Sequence, residues 1–150
     1  MTISLASLAL LVSTFTFIDT HRRHRRDTYL KIYELLISED RQYGRQLLFQ
    51  KVTDEESVSA LTTKEYRLIN RALSTYELLG LFLSRKYISS EDVMTVWARP
   101  ICRAWKLGNA FVQHRQAYIG PTAWRYYEEL AGKALEYVDK SNVEVNYNRF

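Results

Sequence analysis

The sequence predicts an all-α protein in which one N-terminal transmembrane helix precedes a cytoplasmic bundle of about five helices. Two observations lead to this prediction. An almost uninterrupted apolar run extends from Ile3 to Ile18. From Asp27 onward, apolar residues recur at the three- and four-residue spacing of amphipathic helices. No alternating apolar pattern of useful length occurs, which argues against strands.

The apolar run has the features of a membrane anchor. Counted from Met1 to Thr20, it spans about 30 Å as a helix, close to the thickness of a bilayer's hydrocarbon core. The block that follows is strongly basic and comprises His21, Arg22, Arg23, His24, Arg25 and Arg26. This order predicts that the N-terminus lies outside and the C-terminal domain lies in the cytoplasm. A helix in the membrane interface, a buried helix and a cleaved segment are the alternatives, although no signal-peptide charge order is present.

The basic block accounts for the charge of the chain. The formal net charge is +4, and the block contains four arginines, so the remainder sums to about zero. We therefore expect the block to set the topology by contacting anionic headgroups, rather than to bind nucleic acid. Contacts with a partner or a second copy are the alternative. The two histidines are not expected to bind a metal, because the neighbouring arginines repel a cation.

The chain divides into four predicted segments. These are a transmembrane helix at residues 1–20, a basic juxtamembrane flank at 21–26, a helical bundle domain at 27–140 and a flexible tail at 141–150. No proline or glycine separates the anchor from the first part of the bundle, so one helix is expected to run through both. The polar, acidic stretch Thr53 to Ala60 is predicted to be a loop.

Helix starts and stops are marked by short local patterns. Ser38 is expected to cap a helix that runs from Glu39 to about Val52. Capping-box spacing predicts further helix starts at Thr62 and Ser89. The helix after Thr62 is expected to run to about Lys86. Pro100 is predicted to end or kink the helix that starts after Ser89. Gly120-Pro121 is predicted to begin a last helix that reaches about Asp139.

One carboxylate falls where burial would be costly. Glu77 lies among Tyr76, Leu78 and Leu79, and buried charges normally require a partner. We hypothesise that Arg115 pairs with Glu77 or Glu128 and determines how the helices pack. A carboxylate pair for acid–base chemistry, a di-metal centre and a surface charge are the alternatives. No glutamate is followed by a histidine three residues later, so a bundle metal site is not expected.

No recognisable catalytic motif is present. Cys102 is the only cysteine, so no internal disulfide forms. As a nucleophile it would need an activating base, but His114 lies about 18 Å away if both belong to one helix. A buried structural thiol is therefore expected. Gly-rich phosphate loops, GxSxG, HExxH and paired CxxC motifs do not occur. The chain is predicted not to be an enzyme and to bind no cofactor or metal.

Three stretches resemble a known family. They are Leu73–Gly80, Phe111–Arg115 and Trp124–Ala131, and together with the anchor and the Ile88–Glu91 turn they resemble the bacterial domain of unknown function 4760. The resemblance implies a short protein with one N-terminal membrane helix and a helical cytoplasmic domain, and it implies no activity. It marks Glu77, Arg115 and Glu128 as recurrent polar positions, whereas Ser74 stands where the family often has Asn.

These observations lead to an expected function. The chain is predicted to be a non-enzymatic, single-pass adaptor or scaffold in the inner membrane, with its cytoplasmic bundle bound to a protein partner. The alternative is a small oligomerising effector of the defence or toxin type that acts on the bilayer. The expected partners are anionic lipid headgroups and either an unknown protein or further copies of the chain, without nucleic acid or metal. The loop at Thr53 to Ala60 and the tail are the expected adjustable surfaces.

Overall fold

The computed structural model describes residues 5–141, which form six helices. In chain order these are α1 (Leu5–Ile37), α2 (Glu39–Lys51), α3 (Glu55–Ser59), α4 (Thr63–Ser84), α5 (Ser90–Ile119) and α6 (Arg125–Lys140). No strand occurs in this described part of the chain, so the all-α prediction is confirmed. The first four residues of the predicted anchor and residues 142–150 of the predicted tail lie outside the described residues.

The first helix, α1, is one continuous element of 33 residues, as the lack of proline and glycine predicted. Near its C-terminal end, Ile32 and Leu36 are buried, and α1 packs on α2 and α4. The described side chains between residues 13 and 27 are exposed. Between residues 5 and 141, no helix combines the length and the apolar character needed to cross a membrane.

The bundle is organised around α4. This helix packs most extensively on α2 and α6, and α6 also packs on α5. The apolar spacing of α4 predicts that six residues face the core; Ile69, Leu73, Tyr76, Leu79 and Leu83 are buried, and Tyr66 is half-buried. Their spacing of three and four residues keeps them on one side of the helix, which explains why a single stripe contacts two neighbours.

The predicted capping box at the start of α4 is present. Thr62 Oγ1 accepts a hydrogen bond of 3.3 Å from the Glu65 N–H, and Glu65 Oε2 accepts one of 2.9 Å from the Thr62 N–H. The other carboxylate oxygen of Glu65 pairs with Lys51 at the end of α2. The bond from Lys51 and those from Thr62 lower the pKa of Glu65 to about 2. The same carboxylate therefore caps α4 and joins it to α2.

The segment Thr53 to Ala60 is not simply a loop, because it contains α3. Asp54 accepts a hydrogen bond of 2.8 Å from the Ser57 N–H, while Ser57 Oγ accepts one of 3.1 Å from the Asp54 N–H. These reciprocal bonds start the helix, and Val58 is buried against the core. The loop prediction is wrong because the two apolar residues among these eight, Val58 and Ala60, give no periodic pattern that could reveal a helix.

One helix cap and one helix boundary also differ from prediction. Ser38 precedes α2 but its hydroxyl donates to the Leu35 carbonyl at 2.8 Å, so the predicted side-chain cap is not formed. The Gly120-Pro121 break is confirmed, yet α6 begins only at Arg125. Trp124 explains the delay, because its backbone is left-handed with φ 67° while its side chain is buried.

Pro100 lies inside α5, which continues to Ile119 instead of ending at the proline. A proline at this position removes one backbone hydrogen bond. Buried residues on both sides of it hold the helix against its neighbours, including Trp97, Ala98, Ile101 and Cys102. Continuation of the apolar pattern beyond the proline was thus the more informative signal.

Candidate functional site

The side chain of Glu77, which lies on α4, caps the N-terminal end of the neighbouring helix α6. Its Oε2 accepts a hydrogen bond of 2.6 Å from the backbone N–H of Tyr127. Tyr127 is the third residue of α6, so its N–H has no acceptor within that helix. Trp124, which precedes α6, supplies no side-chain hydrogen bond to it. The carboxylate on α4 takes over this role and also faces the positive end of the α6 dipole.

Gly80 lies one turn after Glu77 and lets the two helices approach. A Cβ at this position would lie 2.6 Å from the carbonyl carbon of Tyr126 and closer still to its oxygen. Because these are backbone atoms, a side-chain rotation cannot relieve the contact. We refer to Glu77, Gly80 and the Tyr126–Tyr127 backbone as the α4–α6 junction. Its close packing brings the Tyr127 N–H within reach of the carboxylate.

The structure does not bring together the three polar residues that were expected to pair. Glu128 is exposed in the first turn of α6, and Arg115 is half-buried on α5. The ion pairs within 4 Å between described residues involve neither of these two, nor Glu77. Glu77 does have a partner, as its apolar surroundings required, but the partner is a backbone N–H. Such a donor is present at nearly every residue and so leaves no sign in the sequence.

We expect Glu77→Ala to lower the free energy of unfolding by about 1–2 kcal/mol, because it leaves the start of α6 uncapped. Glu77→Gln should cost less, since its amide oxygen can accept the same hydrogen bond. Urea unfolding followed by circular dichroism measures both changes. Glu128→Ala is the matched control, because this exposed carboxylate contacts no donor across the junction, and we expect a change within about 0.5 kcal/mol. Equal losses for Glu77→Ala and Glu128→Ala would contradict the capping role.

Two stacked tyrosines are buried behind the junction. The rings of Tyr76 and Tyr127 have centroids 5.3 Å apart at 16°, and Trp105 meets Tyr127 edge-on at 5.0 Å. Both hydroxyl oxygens are buried and lack a hydrogen-bond partner among the described residues. Burial raises the pKa of Tyr76 to about 12, although nearby Arg45 acts in the opposite direction. Burial also raises the pKa of Tyr127 well above 10, with Tyr76 and Cys102 adding to the increase.

Cys102 is buried in the same region, as predicted for a structural thiol. Burial, followed by the charge of Asp139, raises the pKa of its thiol to about 11. Since the thiolate is the nucleophilic form, the thiol is poorly reactive at neutral pH.

The predicted membrane flank lies on α1, N-terminal to the buried residues Ile32 and Leu36. The backbone of residues 21–26 is helical, and the side chains of Arg23, His24, Arg25 and Arg26 are exposed. Arg23 pairs with Asp19 at 2.8 Å, within the same helix. One to two turns earlier, Phe15 and Phe17 are 72% and 74% exposed. This part of α1 therefore presents aromatic and basic side chains to its surroundings.

A cleft of about 810 Å³ lies between α3, the start of α4 and the end of α5. Its described lining includes no carboxylate, and its ionisable side chains other than tyrosine are Arg67, Arg71, His114 and Arg115. Tyr66 also lines it, with its ring centroid 4.8 Å from that of Phe111 and 6.2 Å from that of His114. We call these four basic residues and Tyr66 the basic cleft. It is the candidate functional site of the bundle.

Sequence reasoning missed the basic cleft. Arg67 and Arg71 are four residues apart and so share one face of α4, which the sequence does reveal. His114 and Arg115 are adjacent on α5, but they were considered separately, as a base for Cys102 and as an ion-pair partner for a glutamate. That the end of α5 lies beside the start of α4 depends on how the two helices pack, and no spacing in the sequence shows it.

Comparison with known proteins gives one match. The family described as Domain of unknown function (DUF4760) matches residues 2–134, which include the α4–α6 junction and the basic cleft. No curated protein and no solved structure matches the chain. Because the match covers far more than half of the 150 residues, the chain belongs to the DUF4760 family.

Proposed function

We propose that the protein is a non-enzymatic adaptor, held at the inner membrane by its N-terminal segment, whose cytoplasmic bundle binds a protein partner. Residues 1–20 would span the bilayer with the N-terminus outside, and the flank from His21 to Arg26 would contact anionic headgroups. The bundle would then hold the partner at the membrane or respond to its state.

The continuity of α1 is the observation that carries this proposal. One end of the helix is bound to the bundle through Ile32 and Leu36, while the other presents exposed Phe15 and Phe17. Exposed aromatic residues next to basic side chains are typical of segments that contact the apolar and headgroup regions of a bilayer. The apolar run of the sequence also starts at Ile3, two residues before the described helix. These features favour attachment to a membrane.

We expect the full chain, produced in a bacterial cell with a C-terminal tag, to stay in the membrane pellet after a carbonate wash. A chain lacking residues 1–20 should move to the supernatant, because it retains the flank but not the apolar run. Recovery of the full chain in the supernatant would contradict the proposal that residues 1–20 anchor the chain in the membrane.

The basic flank is tested in the same cells by protease accessibility of the tag in spheroplasts. In the full chain we expect the tag to be protected. Replacing Arg22, Arg23, Arg25 and Arg26 by glutamine should expose the tag in part of the population, because positive residues determine orientation. The matched control replaces four exposed basic residues of the bundle by glutamine, Lys64, Arg85, Arg99 and Lys133, and should leave the tag protected.

The adaptor role is tested by affinity capture from detergent extracts, with the full chain and a chain lacking residues 1–26 side by side. That deletion leaves Ile32 and Leu36 in place, so it removes only residues whose described side chains lie outside the core. A specific protein captured by both forms supports the adaptor. Capture of only the chain itself, in a large oligomer that requires residues 1–20, would contradict it and favour the oligomerising membrane effector.

A further inference from the structure

We propose that the basic cleft binds an acidic peptide segment of the partner protein. This inference rests on the proposed function to the extent that the partner is a protein. It adds which surface of the bundle is used and which residues of the partner are recognised.

The spacing of the arginines suits a short extended peptide. Arg67 and Arg71 lie one turn apart on the same face of α4, and Arg115 lines the cleft from α5. The part of α4 that lines the cleft, from Thr63 to Arg71, is about 12 Å long, the length of about four residues of an extended chain. A guanidinium group can bind a carboxylate through two parallel hydrogen bonds, so each arginine can take one acidic side chain.

These guanidinium groups are available to a ligand. Among the described residues, Arg67 and Arg115 have no ion-pair partner within 4 Å. Arg71 has Asp40 at 3.9 Å, with both side chains more than half exposed, and such a contact contributes little. Like charges gathered on one surface repel each other, and carboxylates placed between them would relieve that repulsion.

The remaining lining favours a peptide over a nucleic acid. The cleft includes the apolar side chains of Val58, which is buried, and Leu61, which is half-buried. These can receive the small apolar residues of a peptide. Grooves that bind single-stranded nucleic acid combine basic residues with aromatic rings on which several bases stack. Among the described lining residues only Tyr66 and His114 carry aromatic rings, and the Tyr66 ring is packed on Phe111 and lies edge-on to His114.

The test uses fluorescence anisotropy with the full chain in non-ionic detergent and a labelled peptide in which glutamate alternates with alanine. The cleft variant carries Arg67→Glu, Arg71→Glu and Arg115→Glu. The control variant carries Arg85→Glu, Arg99→Glu and Lys133→Glu, which changes the net charge equally at exposed positions outside the cleft. We expect the cleft variant to bind at least about tenfold more weakly than the unmodified chain, and the control to stay within about twofold. Binding by the unmodified chain should weaken as salt is added.

Three results would overturn this inference. The peptide does not bind the unmodified chain, both variants lose affinity equally, or a labelled single-stranded oligonucleotide binds more tightly than the peptide and is lost in the cleft variant. Thermal unfolding of both variants checks that they fold. If the cleft variant does not fold, the double variant Arg67→Gln and Arg71→Gln replaces it, since both residues are exposed. If the peptide does not bind but a specific protein is captured, the basic cleft is not the binding surface and the proposed adaptor role still stands.

Discussion

Above pH 10 the protein is expected to lose stability steeply, because Tyr76 and Tyr127 must stay protonated in the core. An unfolded tyrosine titrates near pH 10, whereas burial raises the pKa of Tyr76 to about 12. Its contribution is therefore complete below pH 10 and falls progressively between pH 10 and 12, as the unfolded state releases its proton first. The loss from Tyr76 alone amounts to about 3 kcal/mol. Tyr127, whose pKa is also raised, adds a loss of the same sign.

The measurement is urea unfolding between pH 8 and pH 11.5, with the double variant Tyr76→Phe and Tyr127→Phe as the comparison. Neither hydroxyl has a hydrogen-bond partner among the described residues, so the variant should be as stable as the unmodified chain at pH 8, or more so. Cys102, whose pKa is raised to about 11, is present in both proteins. The unmodified chain should become the less stable of the two as the pH rises. An identical pH dependence would show that the tyrosines are not responsible.

The second large effect is expected at the α4–α6 junction, where Gly80→Ala should lower the free energy of unfolding by at least about 2 kcal/mol. The added Cβ would meet the Tyr126 backbone, and overpacking of this kind typically costs about 1–3 kcal/mol. Moving α6 away would also lengthen the hydrogen bond from Tyr127 to Glu77. Urea unfolding measures the loss. The same substitution at Gly132, where a Cβ meets nothing within 4 Å, should be stabilising by up to about 1 kcal/mol.

A double-mutant cycle separates this mechanism from a general defect. If Gly80→Ala already pulls the Tyr127 N–H away from Glu77, adding Glu77→Ala should cost much less than it does in the unmodified chain. Full additivity of the two losses would mean that Gly80 and Glu77 act independently. It would contradict the claim that close packing at Gly80 brings the Tyr127 N–H within reach of the carboxylate.

Local patterns predicted the helices well because capping depends on residues close in sequence. Thr62 and Glu65 form the expected capping box, and Ser89 accepts a hydrogen bond from the Asp92 N–H, as their spacing predicted. The apolar stripe of α4 identified core residues because its period matches the helix. The weakly patterned stretch Thr53 to Ala60 was wrongly predicted to be a loop, and Ser38 forms no side-chain cap although it directly precedes α2.

Features that depend on packing between helices were not predictable in the same way. Glu77 and the Tyr127 N–H are 50 positions apart, and no residue type at Tyr127 announces a backbone donor. Gly80 looks like an ordinary helix glycine until α6 lies against it. The basic cleft requires Arg115 to face Arg67 and Arg71, which follows from the crossing of α4 and α5. Sequence analysis identified the individual residues, but not which of them meet.

Because α1 is unbroken, the number of residues in it determines how the bundle is rotated about the helix axis relative to the N-terminal segment. Each residue of an α-helix adds a rotation of about 100° around the helix axis. The angle around this axis between the buried residues Ile32 and Leu36 and the exposed residues Phe15 and Phe17 is therefore fixed. Inserting one residue after Arg26 would turn the basic cleft by roughly a quarter of a revolution around the axis of α1. Inserting seven residues would return the basic cleft almost to its original direction and would move it about 10 Å along the axis of α1. The direction in which the cleft points is thus determined by helical phase as well as by distance.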